Sequence, residues 1–308
     1  MKNKIILKNK IILIVIAIFL FTLNGCASQE ISNKSKDNSK IDVIVTFNPM
    51  RELAEYIGGD KVNIEVVVPD GVEAHDFELK AKDIMNISKA DMFVYNGFNM
   101  EHWVDKLLET IDKDTVIVEA SRGVDPIIVS EEEEDNHDHE GSYDPHTWLG
   151  LSTAIVQARN IKDALVKVDG NNKDYYEKNF NEFNKEVNEL LNEYKTKFES
   201  LENKSFVTGH EAFGYFCRDF GLEQSSVEGV FAEGEPTPKK MKELVDYCKK
   251  NGVKAIFVEE NISTKVSETL AKEVGAAVEV IHTLESRGEK NYIDAMRDNL
   301  EKVYDNLK

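Results

Sequence analysis

Seven histidines, at positions 75, 102, 137, 139, 146, 210 and 282, are the residues of this chain best suited to chemistry. Three of them stand in comparable settings. His75 follows a strand-like run in Gly71-Val72-Glu73-Ala74-His75-Asp76, and His146 stands at a helix start in Tyr143-Asp144-Pro145-His146-Thr147-Trp148. His210 comes just after another strand-like run in Thr208-Gly209-His210-Glu211-Ala212-Phe213. Neutral imidazole is a good nitrogen ligand for divalent transition ions, and three of them with one carboxylate close a four-ligand site. A single histidine at such a position is as often a capping or hydrogen-bonded structural residue; three in equivalent places point to a metal. Glu211, Glu259 and Glu260 are placed to hold an imidazole tautomer, and Asp144 reads as a cap for the helix of His146. His102 reads as a surface residue, and Trp103 and Trp148 as packing residues.

The elements that must position these side chains alternate between short apolar strands and helices. Strands are expected at Ile41–Phe47, Val62–Val68, Met92–Tyr95 and Thr115–Glu119, with helices at Met50–Ile57, Leu79–Ala90 and from near Glu101. Pro145 opens a further helix to about Val168. From Asn172 to Leu201, Tyr176, Phe180, Phe183, Val187, Leu190, Leu191, Tyr194, Phe198 and Leu201 recur mostly at steps of three and four. That is one apolar stripe on one helix on the order of 40 Å long, a spine between two lobes. Beyond it come strands at Ser205–Thr208, Gln224–Val227, Ala255–Val258 and Ala277–Ile281, and helices at Glu211–Phe220, Lys239–Asn251, Thr264–Val274 and Tyr292–Leu307. The fold class is therefore α/β: two lobes with mostly parallel sheets covered by helices, ligands gathering at the carboxyl ends of the strands in the cleft between them. A single rigid connector predicts small lobe tilts rather than wide closure.

The chain opens with Lys2, Lys4, Lys8 and Lys10, a wholly apolar run Ile11–Phe21, and Leu23-Asn24-Gly25-Cys26. This is the pattern of a bacterial lipoprotein signal, with residues 1–25 removed and Cys26 acylated. Residues 26–39 read as a solvated tether, 40–170 as the first lobe, 171–201 as the linking helix and 202–308 as the second lobe. The net charge of −19 loses four lysines with residues 1–25 and becomes −23, which excludes a nucleic-acid surface. Cys217 and Cys248 sit in helical patterns as core thiols, and whether they pair is open. The acidic stretch from Ser130 to Ser142 contains His137 and His139, an auxiliary collecting site or simply a solvated loop.

Taken together, Gly71–Glu78, Tyr143–Trp148, Thr208–Phe216 with Glu235-Pro236-Thr237-Pro238, and Phe257–Lys265 resemble the zinc and manganese substrate-binding lipoproteins of ABC transporters, the ZnuA/AdcA/TroA-like family. The resemblance covers essentially the whole mature chain. It implies a lipid-anchored receptor on the outer face of the membrane, extracellular or periplasmic, monomeric, and delivering its ion to a membrane permease with a cytoplasmic ATPase. It also implies His75, His146 and His210 as ligands. Ile281-His282-Thr283-Leu284-Glu285-Ser286 occupies the place of the family's fourth-ligand segment, so Glu285 is the expected carboxylate, with His282 or water as its alternative. Three imidazoles and one carboxylate favour Zn2+; Mn2+, or iron, is the alternative. A zinc hydrolase or deaminase would need a general base such as Glu211 beside an open metal position, and no H-E-x-x-H or H-x-E with P-C-x-x-C pattern is present. An adhesin holding a structural zinc is the third reading.

Overall fold

Val43, Val45, Met92, Phe93 and Val94 are all buried, which is what a parallel sheet covered on both faces demands of its central strands. The computed structural model describes residues 40–111, 114–129, 143–230, 236–260 and 264–308. In the first lobe β1 (Ile41–Val45), β2 (Val62–Val66), β3 (Met92–Tyr95) and β4 (Val116–Glu119) pair in parallel in the order β2-β1-β3-β4. Ile41 registers with Val62, Val43 with Met92, and Met92 with Val116. Helices α1 (Asn48–Gly58), α2 (Ala81–Ile87) and α3 (Val104–Leu108) connect them. The second lobe repeats the winding: β5 (Ser205–Thr208), β6 (Glu223–Ser226), β7 (Ala255–Glu259) and β8 (Ala277–Ile281) lie in the order β6-β5-β7-β8, again all parallel. Its helices are α6 (Gly214–Phe220), α7 (Pro238–Asn251), α8 (Lys265–Val274) and α9 (Tyr292–Leu307), while α4 (Leu151–Val168) and α5 (Lys173–Glu199) lie between the two sheets in sequence.

The expected spine is α5, 27 residues long and so about 40 Å from end to end. Tyr176, Phe183, Val187, Leu190, Tyr194 and Phe198 are its buried stripe. Its outer face has Lys–Glu pairs one turn apart, Lys173–Glu177, Lys178–Glu182, Lys185–Glu189 and Lys197–Glu193, each stabilising the helix by roughly 0.5 kcal/mol at most. The apolar interior does not divide at the spine. One cluster runs from Val43 and Phe93 through Trp148, Phe183 and Phe198 to Phe206, Phe257 and Leu300, and a smaller one around Val207, Leu244, Cys248, Ile256 and Leu270 underlies α7 and α8. Cys217 belongs to the large cluster and Cys248 to the small one, and both are free thiols.

Several helices begin later than their sequence patterns predict, α2 at Ala81 and α3 at Val104 among them. The run opened by Pro145 is first a short 3-10 turn, Thr147–Leu149, with α4 starting at Leu151; α6 starts at Gly214 rather than Glu211. In both places a nearby side chain bonds the backbone of the histidine. The His146 N–H donates to Asp144 Oδ1 (2.9 Å), and the His210 carbonyl accepts from Thr208 Oγ1 (2.6 Å).

Candidate metal centre

The turn after β2 is pinned by buried Ala74 and Phe77, leaving His75 between them half-buried with its backbone N–H 3.4 Å from Glu73 Oε1. His146 is fully buried, and Asp144 Oδ1 faces both its backbone N–H and its ring Nδ1, at 2.9 and 2.8 Å. With Nδ1 committed as donor, the His146 tautomer that remains presents Nε2 as a lone pair. That nitrogen lies 3.2 Å from His75 Nε2. Two imidazole nitrogens bound to one tetrahedral zinc would stand about 3.3 Å apart, so the two rings already have the spacing of co-ligands. His210, from the loop after β5, completes the group: the three histidines offer ligand atoms all within 4.8 Å of one another. The ring centroids are 5.2 Å (His75–His146), 6.0 Å (His75–His210) and 4.9 Å (His146–His210) apart.

Electrostatics divide the three histidines. Burial, then the neighbouring imidazoles, pushes the His75 pKa down to about 2, and burial likewise holds His146 well below the usual histidine range. Both rings are therefore neutral and ready to bind. For His210 burial also pulls the pKa down, but the hydrogen bond and charge of Glu259 outweigh it and raise it to about 9. Its Nδ1 lies 3.1 Å from Glu259 Oε1 and its Nε2 2.8 Å from the Val230 carbonyl, so both nitrogens face acceptors. Burial raises Asp144 to about 7 against the hydrogen bond from His146, which lowers it.

Glu285 does not fall within the group of mutually close ligand atoms. Glu285 is half-buried, and burial together with Glu73 and Glu259 pushes its pKa well above the carboxylate range. Glu73 is raised as well, again chiefly by burial. Three carboxyls thus crowd the His210 side of the site, an arrangement that a divalent cation would relieve. His282 is also outside the group, with its Nδ1 against Glu260 and its backbone N–H and carbonyl both bonded to the Asn299 carboxamide. Of the residues expected to fix tautomers, Glu259 faces His210, Glu260 faces His282, and Glu211 instead accepts from Ser226 Oγ at 3.2 Å. Trp148 packs as expected, its buried ring 4.9 Å from Phe47 and its Nε1 donating to the Thr283 carbonyl at 2.7 Å. Cys26, His137 and His139 lie outside the described residues.

Sequence reasoning missed the buried polar knot behind His146. Asn96 Nδ2 donates to the Pro145 carbonyl (2.8 Å), while its Oδ1 accepts from Thr147 Oγ1 and Gln157 Nε2 (both 2.9 Å), so one carboxamide fixes the residues on either side of His146. A polar residue within an apolar strand-end run, Phe93-Val94-Tyr95-Asn96, was the available signal.

Residues 43–306 match the family model described as the periplasmic component A of the zinc-uptake complex. The chain belongs to this zinc-uptake component A family. Among relatives, it is 39% identical over 310 residues to the high-affinity zinc uptake system protein ZnuA of Bacillus subtilis, covering 96% of this chain and 97% of that one. It is 37% identical over 282 residues to the zinc-binding lipoprotein AdcA of Streptococcus pneumoniae, where the match takes in 87% of this chain but 56% of AdcA. The solved laminin-binding protein Lmb of Streptococcus agalactiae, described as bifunctional with adhesin and metal transporting activity, superposes with a TM-score of 0.78 at 34% identity, over 87% of this chain and all of Lmb. This chain has two α/β lobes with a long helix between them in sequence, and its three clustered histidines are drawn from both lobes.

Proposed function

We propose that the protein is an extracytoplasmic receptor that captures one Zn2+ with His75, His146, His210 and Glu285 and delivers it to an ABC-type permease driven by a cytoplasmic ATPase. The observation that carries this reading is the meeting of three imidazoles from both lobes, two of them at the spacing of tetrahedral co-ligands. The fourth position goes to Glu285, a half-buried acid whose carboxyl burial, Glu73 and Glu259 push well above the carboxylate range, which a cation would relieve. His282 is held by Glu260 and is the weaker alternative. A lipid on Cys26 would keep the monomeric receptor at the outer face of the membrane. Among the described residues, no helix is long and apolar enough to cross one. A binding role fits better than hydrolysis because Glu211, the base a hydrolase would need, bonds to Ser226.

The carboxyls of Glu73, Glu259 and Glu285 around His210 favour a second reading, a receptor for manganese or iron, since harder ions take more oxygen ligands. Competition titration of the chelator-stripped protein against zinc and manganese separates the two. The expected result is one tightly held zinc that manganese does not displace, with affinity lost in His146→Ala. Preferential retention of manganese would overturn the zinc assignment.

A further inference from the structure

We infer that Asn48 is a positioning residue for the metal site: from the first lobe, its carboxamide holds the second-lobe segment that carries Glu285. The inference rests on the reading of Glu285 as a ligand. Asn48 begins α1 at the end of β1 and is 2% exposed. Its Nδ2 donates to the carbonyls on both sides of Glu285, Leu284 O at 2.6 Å and Ser286 O at 3.1 Å. Which way the carboxamide faces is settled by Arg51, whose guanidinium has donors only and bonds to Asn48 Oδ1. The amide nitrogen is therefore turned to the two carbonyls.

The held segment is bent in a way that needs holding. Leu284 has φ +66°, a left-handed conformation that is unfavourable for a residue with a side chain. Its neighbours are tied to the same lobe: the Thr283 carbonyl accepts from Trp148 Nε1 (2.7 Å), Ser286 Oγ accepts from Gly71 N (2.9 Å), and Arg287 N donates to Asp70 Oδ1 (2.8 Å). Residues 283–287 follow β8 in sequence, yet they bond to the lobe of His75 and His146. Glu285 is thereby fixed relative to those two ligands, and His210 is the ligand that belongs to the other body.

Asn48→Asp keeps an acceptor for Arg51 but turns a second acceptor toward the two carbonyls, while leaving side-chain volume unchanged. Zinc affinity is measured for the wild type, Asn48→Asp, Glu285→Gln and the double variant, with visible spectra of the cobalt-loaded proteins. Asn48→Asp is expected to weaken zinc about 10- to 100-fold and to shift the cobalt spectrum as Glu285→Gln does. The double variant is expected to bind within about twofold of Glu285→Gln alone, because both remove one ligand. Multiplicative losses, or an unchanged Asn48→Asp, would overturn the inference. Should Asn48→Asp fail to fold, Ser286→Ala, at a partly exposed position, takes its place in the same cycle, with a loss of a few-fold that vanishes in the Glu285→Gln background; independent losses or none would again refute it. An unchanged Glu285→Gln would instead refute the ligand assignment itself.

Discussion

At the scale of single residues, the site pairs each deeply buried imidazole with a carboxylate, Asp144 with His146 and Glu259 with His210, but the two pairs differ in consequence. His146 stays neutral, whereas His210 with its pKa near 9 carries a proton at neutral pH. Zinc held by His210, as proposed, would therefore displace a proton from it on binding. Calorimetry in buffers of different ionisation enthalpy should record about one proton released from this ring at pH 7, the release fading as pH approaches 9, and Glu259→Gln should release less. The sign for stability without metal is the opposite for the two kinds of histidine. The raised His210 contributes stability that is full below the unfolded value of about 6.5 and is lost as pH rises through about 9. His75, depressed to about 2, destabilises the fold as pH falls below about 6.5, because only the unfolded chain can take up that proton.

At the scale of elements, the approach of α6 to the Asp144 turn decides whether His146 is held. A Cβ on Gly214, the first residue of α6, would stand 2.5 Å from Asp144 Oδ2. Alanine is the better helix former by about 1 kcal/mol, so Gly214→Ala should leave the helix intact while displacing the carboxylate. Zinc affinity, read by competition with a chelating dye, should fall about tenfold; an unchanged affinity would mean that Asp144 does not orient the ring. The same region shows what the sequence could and could not convey. The α/β alternation and the spine were legible because apolar periodicity reports burial directly, and β5, β8 and α9 have the bounds expected of them. His75, His146 and His210 were legible because two follow strand-like runs and His146 stands at a helix start. The late starts of α4 and α6 were not, since periodicity does not report the local bonds that Asp144 and Thr208 make to the backbone around the two histidines. Nor could it reveal that Asp144 serves the ring as well as the turn, or that Asn48 reaches across 236 residues to Leu284.

At the scale of the whole molecule, the two lobes have repeated sheets but share one interior. Phe183 on α5 is fully buried, with its ring 5.1 Å from Tyr56 of the first lobe and 5.9 Å from Tyr292 of the second. Phe183→Ala should cost roughly 3–5 kcal/mol and, because the interior is continuous, should lower the denaturation midpoint of both lobes together. Denaturant unfolding followed by separate probes in the two lobes checks this: two transitions, with only one moved, would contradict a shared core. The free thiols extend the point to kinetics. Cys217 lies in the large cluster and Cys248, 1% exposed, in the smaller one beneath α7 and α8. The molecule thus contains two chemical clocks at different depths of its cooperative structure. Under mild denaturant a thiol reagent should modify Cys248 first, through a partial opening of the outer helices, and reach Cys217 only at the rate at which the whole chain unfolds.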